Sequence, residues 1–213
     1  MKIFIKRLVN LFLRIVSYIY TYGINERIKS YRKTLYSLWI RQFLGEVGEN
    51  SSFTRPLLLQ GGGQHRIKIG SHTNFDHHVI LGCRERYGMD DAYSPEIIIG
   101  NHCSIGEYCH ITAINKIVIG DGLLTGRFVY IGDNAHGSLS WEEAEIPPAN
   151  RKLKSKGGII IGRNVWIGDK VTILGGVTIG DNVIIGAGSI VTHDLPNNCI
   201  AAGMPAKIVK ILT

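Results

Sequence analysis

The sequence predicts an all-β protein built on a parallel β-helix, preceded by a short helical segment at the N-terminus. Three observations lead to this prediction: a six-residue period runs through most of the chain, there are 26 Gly but only 6 Pro, and the first 46 residues lack the period. With 213 residues, 45% of them hydrophobic, the chain can bury the core of one main domain.

The six-residue period is clearest from Ile161 onward. The chain there reads Ile-Gly-Arg-Asn-Val-Trp, Ile-Gly-Asp-Lys-Val-Thr, Ile-Leu-Gly-Gly-Val-Thr, Ile-Gly-Asp-Asn-Val-Ile and Ile-Gly-Ala-Gly-Ser-Ile, and the phase continues at Val191. Upstream, the same position is occupied by Ile69, Phe75, Leu81, Ile99, Ile105, Ile111, Ile119 and Ile131. Each unit is expected to form one short strand and one turn, and three units close a triangular coil whose aliphatic side chains stack inward.

Two polar segments break this period, residues 83–96 and residues 137–158. Neither can continue the coil, so both are expected to leave it as loops, the second as a long arm. Long loops on a rigid scaffold are frequent carriers of function.

The N-terminal segment, residues 1–46, is predicted to be a separate basic, amphipathic helical region, followed by the β-helix domain at 47–213. Lys6, Asn10, Arg14 and Ser17 recur at helical spacing in an otherwise apolar stretch. These charges argue against a membrane-spanning helix. Two alternatives remain for residues 1–20: a helix lying in the plane of a membrane surface, or a helix packed on a partner subunit.

A second helix is expected from about Ile24 to Leu44. It is predicted to pack through an apolar face formed by residues at helical spacing, namely Ile24, Ile28, Tyr31, Leu35 and Leu38.

Charge and cysteine usage narrow the class of protein further. Residues 1–46 carry nine basic and two acidic side chains and so hold the whole net charge of +7, which excludes a nucleic-acid-binding body. The four Cys show no zinc-ligand spacing, and Cys103 and Cys109 occupy small inward positions of the repeat, so buried thiols are expected. With no cleavable signal visible, a cytoplasmic location is expected, with the basic arm at the inner face of the membrane.

Histidine is the most suitable catalytic base that the sequence offers. No G-x-S-x-G, phosphate-binding loop, dinucleotide-binding or catalytic-cysteine motif is present. Of eight His, His136 stands where the repeat gives way to the long arm, and a base at such an edge is both exposed and rigidly held. For any single His, a structural role is the alternative.

From Ile159 to Lys210 the chain closely resembles galactoside and maltose O-acetyltransferases and the sugar O-acetyltransferases of polysaccharide biosynthesis. The matching stretches are Gly-Arg-Asn-Val-Trp-Ile-Gly (162–168), Gly-Gly-Val-Thr-Ile-Gly-Asp-Asn (175–182), Ile-Gly-Ala-Gly-Ser-Ile-Val-Thr-His-Asp-Leu-Pro (185–196) and Ala-Ala-Gly-Met-Pro-Ala-Lys (201–207). This resemblance to hexapeptide-repeat acyltransferases implies a left-handed β-helix, against the general preference of parallel crossovers for the right hand.

The resemblance also implies a function and a set of site residues. His136 corresponds to the general base and Asp133 is a candidate to orient it, while the co-substrate is acetyl-CoA and the assembly a homotrimer with sites between subunits. The implied CoA contacts are Trp166, Asp169, Ala187, Thr192, His193, Lys207 and Lys210. The expected reaction is acetyl transfer to a hydroxyl of a saccharide acceptor such as a surface-polysaccharide precursor, with no resident metal.

Three alternatives stay open from the sequence. The same scaffold could acetylate the amine of an amino-sugar, it could resemble the γ-type carbonic anhydrases that bind zinc through His, or it could be purely structural. The acceptor is not named by the sequence, although Trp141, Glu142, Glu143 and Glu145 in the arm are of types that contact sugars.

Overall fold

The six-residue units form a triangular solenoid of parallel strands in the computed structural model, which describes residues 2–88, 91–138 and 140–212. Each coil contributes one strand to each of three sheets, here called faces A, B and C in chain order. Face A consists of Glu46–Val47, Ile67–Ile69, Glu96–Ile99, Lys116–Ile119, Ile159–Ile161 and Thr178–Ile179.

Face B follows face A around each coil and is extended at its end by an antiparallel strand. It consists of Ser52–Phe53, Asn74–Phe75, Ser104–Ile105, Leu124–Thr125, Trp166–Ile167, Ile184–Ile185, Cys199–Gly203 and the terminal Ala206–Ile211. Face C closes the triangle with Leu58–Gln60, Ile80–Cys83, His110–Ala113, Tyr130–Gly132, Thr172–Leu174 and Ile190–Val191.

The strand register stacks the periodic aliphatic residues directly on one another. On face A, for example, Ile69 pairs with Ile99, Ile99 with Ile119, and Ile119 with Ile161. Every residue of the predicted phase is buried, and the four Cys are buried as well. The inward-facing core predicted from the period is therefore confirmed.

The corner between faces A and B is held by a ladder of Asx side chains. The carboxylate of Asp121 accepts the Asn101 backbone N–H at 2.7 Å, and the Asn101 side chain accepts the Ser71 N–H at 2.8 Å in the coil before. His72 and His102 occupy the same corner with positive φ values of 57° and 54°, and their rings stack 4.9 Å apart. These two histidines are thus turn residues.

Two α-helices precede the solenoid, α1 at Lys2–Ile19 and α2 at Tyr22–Ile40, followed by a 3₁₀ turn at Arg41–Phe43. Two further 3₁₀ turns lie at Gln64–Arg66 and Pro148–Asn150. No residue of α1 is buried. Within the described residues, neither helix combines the length and hydropathy that crossing a bilayer requires.

The face through which α2 packs differs from the predicted one. Ile24, Ile28, Tyr31, Leu35 and Leu38 are between 39% and 72% exposed, whereas Ser37 and Ile40 are buried against the first coil. The prediction of that face was wrong because hydrogen bonds from the C-terminal half of α2 determine how the helix packs on the first coil. The spacing of apolar residues does not reveal these hydrogen bonds.

These hydrogen bonds satisfy the open edge of the first coil. The Phe53 backbone N–H donates to the Ser37 hydroxyl at 2.9 Å, and the Leu57 N–H donates to the Tyr36 hydroxyl at 3.0 Å. An unpaired strand edge invites association, and α2 covers it as a terminal cap of the solenoid. The division of the chain into domains at residue 46 stays a prediction.

Candidate active site

Both insertions leave the solenoid at one corner, the corner between faces C and A. Residues 84–95 follow the second strand of face C, and residues 133–158 follow its fourth strand, with one regular coil between them. The first forms a hairpin of Arg86–Tyr87 with Asp91–Ala92. The second, the arm, begins with Ala135–His136 paired antiparallel to Leu153–Lys154 and contains the short helix α3, Trp141–Ala144.

The hairpin rests against the arm. The Tyr87 hydroxyl donates to the Ala149 carbonyl at 2.8 Å, and the Tyr93 hydroxyl donates to the Leu153 carbonyl at 3.1 Å. Together the two insertions form one wall at this corner of the molecule.

His136 is exposed at the base of the arm. Its backbone pairs with Leu153, and its ring meets the Tyr87 ring edge-on, with centroids 5.1 Å apart and planes at 71°. The imidazole thus has an aromatic neighbour on one side and solvent on the other, an arrangement in which a base can reach a substrate hydroxyl.

The arm is clamped directly behind His136 by three polar residues. The Glu143 carboxylate accepts hydrogen bonds from the Ser138 backbone N–H and, at 2.9 Å, from the Ser138 hydroxyl, and it pairs with the Lys154 ammonium at 2.8 Å. The Lys154 hydrogen bond, together with those from Ser138, lowers the pKa of Glu143 to about 2. Glu143 is therefore occupied within the arm, whereas Trp141 stands 94% exposed.

Gly137 connects His136 to this clamp in a conformation that favours glycine. Its φ is +76°, and a Cβ atom there would lie 2.7 Å from Cδ of Arg151. The sharp change of direction after His136 thus depends on Gly137.

Asp133 does not orient His136. It is buried, and its two carboxylate oxygens accept the backbone N–H groups of Ile114 and Asn115 at 2.8 and 2.9 Å. Burial raises the pKa of Asp133, and these hydrogen bonds oppose the rise. The hypothesis that Asp133 orients the base was wrong, because the adjacent coil already uses its oxygens to hold a turn.

Three of the predicted CoA contacts lie on face B or at the corner between faces B and C. Trp166 is half exposed on face B. Asp169 accepts the Arg127 backbone N–H at 2.8 Å and so holds the turn of the preceding coil. Ala187 is exposed above Gly168, where a Cβ atom would lie 2.6 Å from the Ala187 nitrogen, so this corner presents a low surface.

The other four predicted contacts lie near the C-terminus. Thr192 and His193 occupy the corner between faces C and A, with the Thr192 hydroxyl 2.7 Å from Nδ1 of His193. Lys207 and Lys210 are exposed on the terminal strand, opposite Ala202 and Ile200. Within one chain, Thr192 and His193 therefore lie at a different corner from Asp169 and Ala187, whereas Lys207 and Lys210 lie on face B, the face that also carries Trp166.

The described residues offer little support for a metal site or for a cysteine nucleophile. No group of three or more His, Cys, Asp or Glu there could hold a metal ion. Burial raises the pKa of the Cys83 thiol to about 12, and it raises those of Cys103 and Cys109 as well. A neutral buried thiol is a poor nucleophile.

Sequence reasoning missed the residues that support His136, namely Tyr87, Ser138 and Lys154. The available signal was the position of the two insertions. Both follow a strand of face C, and counting six-residue units from Ile69 to Leu81 and from Ile119 to Ile131 would have assigned them to one corner.

Comparison with known families and curated proteins agrees with the resemblance found in the sequence. Residues 158–193 match the family model "Bacterial transferase hexapeptide (six repeats)". WbbJ of Escherichia coli, provisionally named a lipopolysaccharide biosynthesis O-acetyl transferase, is 38% identical over 125 residues, covering 56% of this chain and 63% of WbbJ. Galactoside O-acetyltransferase of the same organism is 37% identical over 124 residues, covering 56% of each. The chain thus matches about 56 to 63% of the length of these relatives.

Solved structures share the fold. A hexapeptide-repeat-containing acetyltransferase from Vibrio cholerae is 27% identical with a TM-score of 0.52, covering 81% of this chain and 77% of that one. AntD, an N-acyltransferase from Bacillus cereus solved with dTDP and 3-hydroxybutyryl-CoA, is 21% identical with a TM-score of 0.65, covering 83% and 87%. The predicted resemblance to hexapeptide-repeat acyltransferases and the left-handed parallel β-helix are both confirmed.

Proposed function

We propose that the protein transfers the acetyl group of acetyl-CoA to a hydroxyl group of a sugar, with His136 as general base. The observation that carries this proposal is the exposed imidazole at the foot of a clamped arm, on a solenoid whose relatives are named as O-acetyltransferases. Both relatives act, by their names, on hydroxyl groups, which favours a hydroxyl acceptor over an amine.

The chemistry requires one proton to travel through His136. The neutral imidazole accepts the proton of the acceptor hydroxyl as its oxygen bonds to the acetyl carbon. The carbon–sulfur bond then breaks, and the imidazolium returns the proton to the departing sulfur. Tyr87 lies against the ring of His136 and restricts its orientation.

The residues predicted to bind CoA suit its parts. Ala187 over Gly168 leaves a low surface along which a pantetheine arm can lie. Lys207 and Lys210 offer ammonium groups to phosphates, as point charges rather than as the paired donors of arginine. Thr192, His193 and Trp166 are assigned to the walls of the same site.

We infer a homotrimer in which each active site lies between two chains. His136 follows the fourth strand of face C and Ala187 follows the sixth strand of face B. They lie at different corners of the solenoid, so a single chain does not bring the base to the low surface. Cyclic association that places the His136 corner of one chain against the Ala187 corner of the next chain gives three equivalent sites.

The acceptor proposed is a precursor of a surface polysaccharide, acetylated in the cytoplasm near the membrane. The name of WbbJ supports this acceptor class. The unburied helix α1, with Lys6, Arg7 and Arg14 among exposed apolar residues, supports a peripheral membrane contact through residues 1–20.

The test is a panel of nucleotide-linked, lipid-linked and free sugars incubated with acetyl-CoA. Thiol release reports turnover, and mass spectrometry of the product distinguishes an ester from an amide. An O-acetylated sugar is the expected product. Exclusive amide formation, or no acceptor-dependent thiol release from any sugar, would overturn the proposal.

A further inference from the structure

An open cleft of about 1220 Å³ lies between α2 and the first coils of the solenoid. One side is formed by α2, including Arg32, Lys33 and Trp39, and the other by the corner between faces B and C, including Arg55 and His77. His136 lies at another corner, next to the fourth strand of face C. Ala187 lies at the same corner as the cleft but follows the sixth strand of face B, whereas Arg55 and His77 follow its first and second strands, so the cleft is separate from the candidate active site.

The cleft is strongly cationic. Its lysine and arginine lining residues are Lys29, Arg32, Lys33 and Arg55, and its acidic one is Glu26. Glu26 is paired with Lys29 at 2.8 Å. Neither Arg32 nor Arg55 forms an ion pair with a carboxylate of the described residues, so their charges are available to an anion.

Lys33 is held at the inner side of this cleft. Its ammonium donates to Oδ1 of Asn74 at 2.5 Å, and the side chain is half buried. Burial lowers the pKa of Lys33, and the nearby charge of Asp76 opposes that change. A cation whose hydration has been reduced in this way gains more from a bound anion than a fully solvated one does.

The same cleft has an apolar side that faces solvent. Leu35 and Trp39 are 67% and 56% exposed, although both line the cleft, and Pro56 lines it from the solenoid. Leu35 also belongs to the apolar face of α2 that the solenoid leaves uncovered. Cations beside exposed apolar surface match a ligand that carries a phosphate on an apolar chain.

We propose that this cleft binds the phosphate head group of an anionic lipid, with the apolar chain of the lipid against Leu35 and Trp39. Arg32, Lys33 and Arg55 contact the phosphate oxygens. The cleft thereby gives the protein a specific lipid site in addition to any general attraction of α1 to a membrane surface.

The experiment measures binding by the full-length protein to dihexanoyl phosphatidic acid below its micelle concentration. Dihexanoyl phosphatidylcholine and inorganic phosphate are the comparison ligands, and calorimetry is the readout. Phosphatidic acid is expected to bind saturably and at least tenfold more tightly than either, since only it combines net negative charge with an apolar chain.

Matched variants test the location. Arg32→Gln and Arg55→Gln should each weaken phosphatidic acid binding about fivefold, the usual contribution of one basic side chain at a lipid phosphate. Arg163→Gln removes an equal charge from an exposed arginine at the corner between faces A and B and should change the affinity less than twofold. Equal melting temperatures show that all three variants fold.

Three results would overturn the proposal. They are absence of saturable phosphatidic acid binding, equal affinity for phosphatidylcholine or inorganic phosphate, and equal loss of affinity in Arg163→Gln and Arg55→Gln.

Discussion

Individual histidines in this chain have different roles, and their position in the six-residue unit explains the difference. His72, His78 and His102 adopt positive φ at solenoid corners, and their rings stack on neighbours one coil away. His136 lies outside the repeat and is exposed. The phase of the repeat could therefore have assigned the corner histidines to turns from the sequence, whereas the neighbours of His136 depend on contacts distant in the chain.

Asp133 is predicted to stabilise the solenoid rather than to act in catalysis. In Asp133→Asn, an amide NH₂ must face one of the two backbone N–H groups that the carboxylate now accepts. The free energy of unfolding should fall by about 1–3 kcal/mol, measured by denaturant titration.

Asp121→Asn is the control, because Asn101 already makes the equivalent corner bond with an amide oxygen. The free energy of unfolding should fall much less in Asp121→Asn than in Asp133→Asn. Equal losses of unfolding free energy in the two variants would show that the buried hydrogen bonds of Asp133 stabilise the fold no more than the corner bonds of Asp121 do.

Ala187→Trp is predicted to block the path of the pantetheine arm while leaving the fold intact. The affinity for acetyl-CoA, measured by calorimetry, should fall at least tenfold because the bulky side chain stands on the low corner above Gly168. Ile160→Trp, at an exposed position on face A, should leave the affinity unchanged. If Ala187→Trp binds acetyl-CoA as wild type does, the cofactor lies elsewhere.

At the scale of elements, the arm and the hairpin illustrate what the sequence can and cannot predict. Their existence follows from the interruption of the period at residues 83–96 and 137–158. Their mutual contact rests on the hydroxyls of Tyr87 and Tyr93, which donate to carbonyls about sixty residues away. Any polar side chain of suitable length could make such bonds, so composition alone did not indicate them.

Glu143→Gln is predicted to loosen the arm. The pKa of Glu143 is lowered, so its stabilising contribution is complete above about pH 4.5 and is lost as the pH falls toward 2. Amide hydrogen exchange of residues 135–154 should therefore be slow in the wild type from pH 7 to 5 and faster in the variant. The transfer rate of the variant should fall about tenfold, because His136 is less well positioned.

Glu142→Gln is the matched control, since Glu142 neighbours Glu143 on α3, whereas the hydrogen bonds from Ser138 and the ion pair with Lys154 go to Glu143. It should behave as wild type. Identical exchange in the two variants would exclude the clamp as the support of the arm.

The helices show a limit of periodicity as a guide to packing. The sequence predicted both helices, but the packed face of α2 was wrong because the solenoid edge selected Tyr36 and Ser37 through hydrogen bonds. Helix α1 has no buried residue, so its apolar side chains are accessible to a membrane surface or to a partner subunit.

A chain beginning at Thr21 is predicted to lose most binding to anionic vesicles. It lacks Lys2, Lys6, Arg7 and Arg14, each worth about 1 kcal/mol near an anionic surface. Thr21 is kept because its hydroxyl caps α2 by accepting the Ile24 N–H at 3.3 Å. Co-sedimentation of both chains with anionic and zwitterionic vesicles measures the loss.

The oligomeric mass from light scattering decides between the two interpretations of α1. The membrane interpretation predicts a trimer with or without residues 1–20. A full-length trimer that ignores vesicles, together with a shortened chain that falls to monomers, would show that α1 packs on a partner subunit.

For the whole molecule, the solenoid was predictable because each six-residue unit repeats the same physical solution of an inward aliphatic side chain followed by a tight turn. The stacked register of Ile69, Ile99, Ile119 and Ile161 follows directly from that repetition. The candidate site was less predictable because it is built from insertions, which are not periodic. We proposed that a second chain completes this site, and the six-residue pattern of one chain does not indicate where two chains meet.

The most direct test of the central claim is the rate of acceptor-dependent thiol release from acetyl-CoA in His136→Ala. Loss of a positioned base should lower the rate by about 10²–10⁴-fold, with acetyl-CoA affinity and melting temperature unchanged. His65→Ala, which alters an exposed histidine beside Glu85, should retain the wild-type rate within twofold. A rate within threefold of wild type in His136→Ala would contradict the assignment of His136 as the base and, with it, the mechanism proposed for this protein.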